Sequence, residues 1–231
     1  MRHCPVCGAG VQRFHELSAE FTEPMQRHGW PYSLSDSETM NAAAYSCPHC
    51  AAVDRERMSA LWILRAATTG GRLLHIGPRE AIDRFLRERF DVRSADLEQD
   101  ADDRADIQAL PYDDESFDAF VCSHVLEHVP DDRAALRELR RILRPTGWGI
   151  VMVPVILPLD AVDEEPGGVS EAEAWRRFGQ GDHLRLYNRE GFLARVAEAD
   201  FRASEHRFGI VDRYRYGIGR GSVLYTVTCA S

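Results

Sequence analysis

Arg72-Leu73-Leu74-His75-Ile76-Gly77-Pro78-Arg79-Glu80 is the stretch whose reading decides the fold. A short apolar run ends on a glycine and passes into the helical pattern Ala81-Ile82-Asp83-Arg84-Phe85-Leu86. That is the order of the first strand, turn and helix of a nucleotide-binding α/β unit. Working outward between Gly71 and Val153, the pattern predicts strands over 72–76, 91–95, 117–122 and 148–154. It predicts helices over 79–89 and 131–143 and a short one near 124–128. Asp131 and Asp132 open the long helix, Arg140 and Arg141 close it as the helix dipole prefers, and Pro145-Thr146-Gly147 breaks it. Alternating strands and helices imply an α/β fold, a mostly parallel twisted sheet with helices on both faces.

Upstream, residues 1–53 carry Cys4-Pro5-Val6-Cys7 and Cys47-Pro48-His49-Cys50. Each Cys-x-x-Cys can place two thiolates on one tight turn, and two such turns make a sulfur cage suited to zinc. Cys4, Cys7, Cys47 and Cys50 are therefore the expected metal ligands. Four protein ligands close the coordination shell, so the expected zinc is structural rather than catalytic. Between the pairs the content reads as loops with one or two short strands, and so small a piece gains from a metal staple. Cys122 and Cys229 lie in strand-like surroundings, Cys122 reading as a small buried strand residue. Residues 54–69 carry a helical apolar stripe that ties this zinc-binding, ribbon-like unit to a second unit over 54–231.

Downstream, residues 157–182 lose the strand–helix rhythm apart from a short helix over Ser170 to Phe178. An insertion following a strand in such a fold is a candidate lid, because ligands sit at the carboxyl ends of the strands. Residues 189–200 read as an amphipathic helix, and residues 207–229 as an antiparallel hairpin around Tyr216-Gly217-Ile218-Gly219-Arg220-Gly221.

Composition bounds the function. The chain of 231 residues is 44% hydrophobic with a net charge of −9. An acidic chain gains little from phosphate neutralisation, so nucleic acid is a disfavoured partner. The sequence has neither a long apolar run nor a basic-then-apolar leader pattern, which leads to the expectation of a cytoplasmic protein without membrane association. Nothing in the sequence specifies an oligomeric state. A dinucleotide site would need G-x-G-x-x-G, whereas Gly77 is followed by Pro78, Arg79 and Glu80, and proline removes a backbone donor. What remains is a nucleoside-type ligand without phosphates.

At these residues the sequence resembles the class I S-adenosylmethionine-dependent methyltransferases, in particular the subgroup called type 11. Leu74-His75-Ile76-Gly77 resembles the first motif; Asp96 matches the acid that accepts from the ribose hydroxyls; Asp106-Ile107 resembles the pair that holds the adenine. Phe117-Asp118 to Val129, Glu138-Leu139-Arg140-Arg141-Ile142-Leu143-Arg144-Pro145-Thr146-Gly147 and Asp182-His183-Leu184-Arg185-Leu186-Tyr187 with Glu190-Gly191-Phe192 continue the likeness. It covers residues 55–231, and there is a narrower likeness to bacterial methyltransferases that begin with two Cys-Pro-x-Cys knuckles. The first motif departs from the family pattern, with His75 in place of an acid and Pro78-Arg79-Glu80 in place of further glycines.

The resemblance implies a Rossmann-like methyltransferase fold, an S-adenosylmethionine cofactor and transfer of a methyl group to O or N, less readily S, of a small molecule or peptide. It implies cofactor contacts from His75, Gly77, Pro78, Asp96, Leu97, Asp106, Ile107, Ser123 and His124. Catalytic candidates are His183 and His124, since histidine is the usual base near neutral pH. His183 reads equally as a capping histidine, and the place of His124 suits cofactor lining better than proton abstraction. His124-Val125-Leu126-Glu127-His128 also fits H-x-x-E-H, a metal-binding pattern when helical, though a third ligand is not evident there. Two rival readings are an RNA base methyltransferase and a non-catalytic zinc-ribbon module on an altered cofactor fold.

Overall fold

In the computed structural model, which describes residues 1–98 and 100–230, the two Cys-x-x-Cys turns share one backbone design. Ser231, the last residue of the expected second unit, lies outside the described residues. Strand β1 (Arg2–His3) pairs antiparallel with β2 (Gly10–Val11) and carries the first turn. Cys4 N donates to Ala9 O and Gly8 N to Cys4 O, both at 2.9 Å; Cys47 N donates to Ala52 O and Ala51 N to Cys47 O, again at 2.9 Å. The residue after the second cysteine is left-handed in both, Gly8 at φ 72° and Ala51 at φ 59°.

The intervening loop differs from expectation by containing a helix, α1 (Ala19–Arg27). Pro24 reads as a breaker, yet the helix closes around it, capped by Ser18, whose hydroxyl accepts from Glu20 N at 3.2 Å. Helix α2 (Asp54–Ala66) follows the second turn directly. Its Arg57 is fully buried and gives its donors to the carbonyls of Tyr45, Ala44, Ala52, Tyr216 and Gly217. Two of those carbonyls belong to the C-terminal part of the chain, so one guanidinium ties the segment around the second cysteine turn to it.

The main sheet is built from β3 (Arg72–Ile76), β4 (Asp91–Asp96), β5 (Asp103–Arg104), β6 (Phe117–Ser123) and β7 (Leu143–Met152), all parallel. Helices α3 (Glu80–Arg87) and α4 (Asp132–Ile142) are the crossovers. Leu73, Leu74, His75 and Ile76 are buried in succession, as in a strand covered on both faces. After β8 (Asp163–Glu164), α5 (Glu171–Phe178), β9 (Arg185–Leu186) and α6 (Arg189–Glu198), the sheet is completed by β10 (Phe201–Arg207), with helix α7 (Ile210–Tyr216) leading to β11 (Val223–Cys229). The order is β10-β11-β7-β6-β3-β4-β5, with β11 antiparallel to both neighbours. From β3 the chain runs to β4 and β5 on one side and then returns to β6 on the other. The loops leaving the adjacent ends of β3 and β6 therefore part, which opens a crevice at their carboxyl ends.

Two expectations are corrected. Residues 124–128 form a turn rather than a short helix. The carbonyls of Leu126, Val129 and Pro130 are instead taken by Arg185. The expected hairpin over 207–229 is α7 followed by β11, and β11 pairs with the earlier segment 201–207. Val211, Tyr214 and Tyr216 have strand propensity, but Gly217 at φ 65° closes a helical turn onto Arg213 O, and Tyr216 is buried. Among the described residues no helix is long and apolar enough to cross a membrane.

Candidate active site

The crevice between the ends of β3 and β6 opens into a cavity of about 580 Å³. Gly77, Asp96, Leu97, Asp106, Ile107, Ser123 and His124 all line it, so seven of the nine expected cofactor-contact residues converge there. Gly77 sits at φ 63°, and a Cβ on it would meet Val125 Cγ2 at 2.7 Å, so both backbone conformation and space require glycine. Asp96 ends β4, its Oδ1 accepting from Glu98 N at 2.8 Å. Leu97 beside it is 49% exposed, an apolar surface facing the cavity. Asp106 is held by Gln108, whose backbone N and Nε2 donate to Oδ1 at 2.9 and 3.0 Å. His75 and Pro78 do not line the cavity. The buried His75 ring turns to the opposite side, where Nδ1 lies 2.8 Å from Asp83 Oδ1 on α3.

The far wall comes from the N-terminal unit and the 157–182 insertion. Phe21, Met25 and Trp30 line the cavity together with Phe178, Gly179 and Gln180. The insertion is seated rather than free: Phe178, Ile156 and Leu186 form a small core against Trp30 and Tyr32. Arg55, from the first turn of α2, also lines the cavity, although no local pattern singles it out in the sequence.

On the floor lies a carboxylate among histidines. Glu127 is fully buried, and neither of its oxygens has a hydrogen-bond partner among the described residues. His124 Nδ1 lies 3.1 Å from Glu127 Oε1, an ion-pair distance without hydrogen-bond alignment. Burial favours the neutral acid, but His124, His183 and His128 outweigh it and keep Glu127 ionised below the usual carboxylate range. The rings of His128 and His183 stand perpendicular with centroids 4.7 Å apart. His128 Nδ1 lies 3.2 Å from Asp182 Oδ2; burial opposes its protonation, but the Asp182 and Glu127 carboxylates raise its pKa overall. Burial lowers His183 to about 4, and lowers His124 with Arg55 adding to the effect. His183 Nδ1 and His124 Nε2 are both buried without a partner among the described residues.

The segment Asp182 to Tyr187 builds this floor residue by residue. Asp182 holds His128, His183 faces Glu127, and Leu184 N donates to Glu127 O at 2.8 Å. Arg185 grips three carbonyls of the 126–130 loop, and Tyr187 donates its hydroxyl to Asp132 at 2.6 Å. Asp182 and His183 thus face different partners and are not a dyad. His124 takes a left-handed φ of 59°, a costly conformation of the kind that collects at functional sites.

Away from the cavity, the sulfurs of Cys4, Cys7, Cys47 and Cys50 all lie within 4.8 Å of one another, with Cys4–Cys50 at 3.8 Å and Cys7–Cys47 at 3.9 Å. None of the four is in a disulfide.

Residues 64–151 match the family model described as "Methyltransferase domain". Methyltransferase GfsG of Streptomyces halstedii is 44% identical over 57 residues, covering 24% of this chain and 20% of its own length. An uncharacterized 37.1 kDa protein in transposon TN4556 of Streptomyces fradiae is 33% identical over 86 residues, 37% of this chain and 24% of that protein. The chain thus spans a quarter or less of the length of these curated relatives. Among solved structures, the 1,6-didemethyltoxoflavin-N1-methyltransferase of Burkholderia thailandensis, with bound 1,6-didemethyltoxoflavin and S-adenosylhomocysteine, superposes with a TM-score of 0.55 at 16% identity, covering 77% of this chain and 79% of that one. An S-adenosylmethionine-dependent methyltransferase from Mesorhizobium loti does so at 0.53 and 15%, covering 74% and 97%. At these identities the likeness is one of fold. The chain thus has the Rossmann-like fold of these S-adenosylmethionine-dependent methyltransferases in its sheet order and crevice, and its residues 64–151 match a methyltransferase domain.

Proposed function

We propose that the protein transfers a methyl group from S-adenosylmethionine to an oxygen or nitrogen of a small molecule or peptide. The observation that carries the reading is the two-sided cavity. Gly77, Asp96, Leu97, Asp106 and Ile107 line one side, and a buried carboxylate with three histidines forms the floor beyond. Asp96 would accept from the ribose hydroxyls, Leu97 and Ile107 would flank the adenine, and Asp106 would receive its amino group. Gly77 would let the amino-acid part lie over the end of β3. When bound, S-adenosylmethionine supplies a methyl carbon on a sulfonium, and displacement by the acceptor's lone pair leaves S-adenosylhomocysteine.

The chain's own work is to align the acceptor, exclude water and receive a proton. Trp30, Phe178 and Ile156 provide the apolar wall. His124 Nε2 and His183 Nδ1 are the candidate proton acceptors: burial lowers the pKa of both rings, and neither atom has a hydrogen-bond partner among the described residues.

The four cysteines fit structural zinc. Sulfurs 2.3 Å from a central tetrahedral zinc stand about 3.8 Å apart, close to the two separations given above. Zinc here would close a four-thiolate shell and hold the unit that supplies the cavity's far wall. Calorimetric titration with S-adenosylmethionine and S-adenosylhomocysteine tests the cofactor half. The expected result is micromolar binding of both, weakened at least tenfold in Asp96→Ala. Absence of binding to either ligand would refute the enzyme and favour a non-catalytic zinc-ribbon module.

A further inference from the structure

The cavity floor holds a second cluster of metal-ligating side chains besides the four cysteines. Glu127, His128 and His183 each offer one ligand atom, and these atoms lie within 4.8 Å of one another. An acid among histidines is a common arrangement; what sets this one apart is how little else occupies it. Glu127 has no exposed surface, lines the cavity, and receives a hydrogen bond on neither carboxylate oxygen among the described residues, with His124 Nδ1 an ion-pair neighbour 3.1 Å from Oε1. A buried carboxylate without hydrogen bonds is costly, and a bound cation would offset that cost.

We infer that Glu127, His128 and His183 form a binding site for a divalent transition-metal ion at the acceptor end of the cavity. Two imidazoles and one carboxylate suit zinc, cobalt or ferrous iron better than magnesium or calcium, which prefer all-oxygen shells. His128 is already arranged as a ligand: Asp182 Oδ2, 3.2 Å from Nδ1, orients the ring and leaves Nε2 for the metal. This is the outer-shell carboxylate that ligating histidines usually have. The backbone supports the same geometry. Leu184 N donates to Glu127 O at 2.8 Å, and Arg185 pins the carbonyls on either side, so the two segments that carry the ligands are held together.

Three protein ligands leave coordination positions open toward the cavity. A hydroxyl-bearing acceptor would enter one of them, and the metal would lower that hydroxyl's pKa. His124, outside the ligand set, then remains as the buried proton acceptor through Nε2. This deepens the acceptor side of the proposed reaction but does not depend on the cofactor, because the metal is measured without S-adenosylmethionine.

The test is titration of the zinc-loaded full-length protein with Co²⁺ alone, followed by calorimetry and visible absorption. One Co²⁺ per chain is expected, without the intense thiolate-to-cobalt band that would mark exchange into the cysteine cage. Asp182→Asn should weaken binding by about 10- to 100-fold, and Glu127→Gln should abolish it. His128→Gln, at a half-buried position, serves as a further ligand variant if Glu127→Gln does not fold. Co²⁺ should raise the Tm of the wild type and leave that of the ligand variants unchanged. Zinc in the cage with no Co²⁺ taken up, or equal uptake by folded Glu127→Gln and His128→Gln proteins, would overturn the inference. S-adenosylhomocysteine binding, measured in the same variants, separates failure of this site from failure of the cofactor site.

Discussion

Gly77 shows how much one residue can decide. Its left-handed backbone costs any other L-residue about 1–2 kcal/mol, and the Cβ contact with Val125 at 2.7 Å adds to that. Gly77→Ala should therefore weaken S-adenosylhomocysteine binding by at least about tenfold, the equivalent of 1.4 kcal/mol, which calorimetry would register; unchanged affinity would place the cofactor elsewhere. Ala51 makes the opposite case. It occupies, at φ 59°, the position that glycine fills in the first cysteine turn. Replacing Ala51 with glycine should stabilise the protein by up to about 1 kcal/mol, about 2–4 °C in Tm. A lower Tm in differential scanning calorimetry would show that the turn does not bear this strain. That Asp96 and Asp106 share one cavity and that the four cysteines cluster was legible in their order and spacing along the sequence. Arg55 was not, and Glu127 and His128 stood out only as part of H-x-x-E-H without His183: what joins these residues is a cavity assembled from distant segments.

At the level of elements, single polar side chains couple parts of the chain that share no sequence neighbourhood. Arg57 on α2 satisfies five carbonyls, two of them around the end of α7, while burial pulls its own pKa down. Arg57→Met leaves those carbonyls unpaired and should cost at least about 3 kcal/mol, measurable by urea unfolding; a loss within 1 kcal/mol would show that water replaces the guanidinium. Glu38 joins the N-terminal unit to β11, accepting the Tyr225 hydroxyl at 2.6 Å. Burial raises its pKa despite that bond and nearby Arg189. A carboxyl raised in the folded state adds stability at acid pH that is lost as pH climbs through its folded value. Glu38→Gln should remove that decline, so its stability–pH curve should rise relative to the wild type above the ordinary glutamate range; parallel curves would contradict the assignment.

The elements also show where sequence reading stops. Four of the five parallel strands were legible because consecutive apolar residues and a following amphipathic helix are short-range signals; β5, two charged residues long, carries neither. Helix α1 was hidden by Pro24, and α7 by its strand-forming side chains. Residues 124–128 were read as helical because the shape of this loop is set by Arg185, more than fifty residues further along the chain.

For the whole molecule, the claim is that the cysteine unit is part of the active site and not an appendage. Phe21, Met25 and Trp30 wall the cavity, and the insertion packs against Trp30 and Tyr32. Chelation of zinc should therefore lower Tm and also loosen the cavity, seen as increased amide exchange over residues 171–187; loss of protection confined to residues 1–53 would make the unit independent. The most direct measurement of the account is a crystal structure of the protein with S-adenosylhomocysteine. It should show the ribose on Asp96, the adenine beside Asp106 and Ile107, and the sulfur directed toward His124 and the Glu127–His128–His183 floor. A ligand bound away from the ends of β3 and β4, or with its sulfur turned away from that floor, would contradict the account.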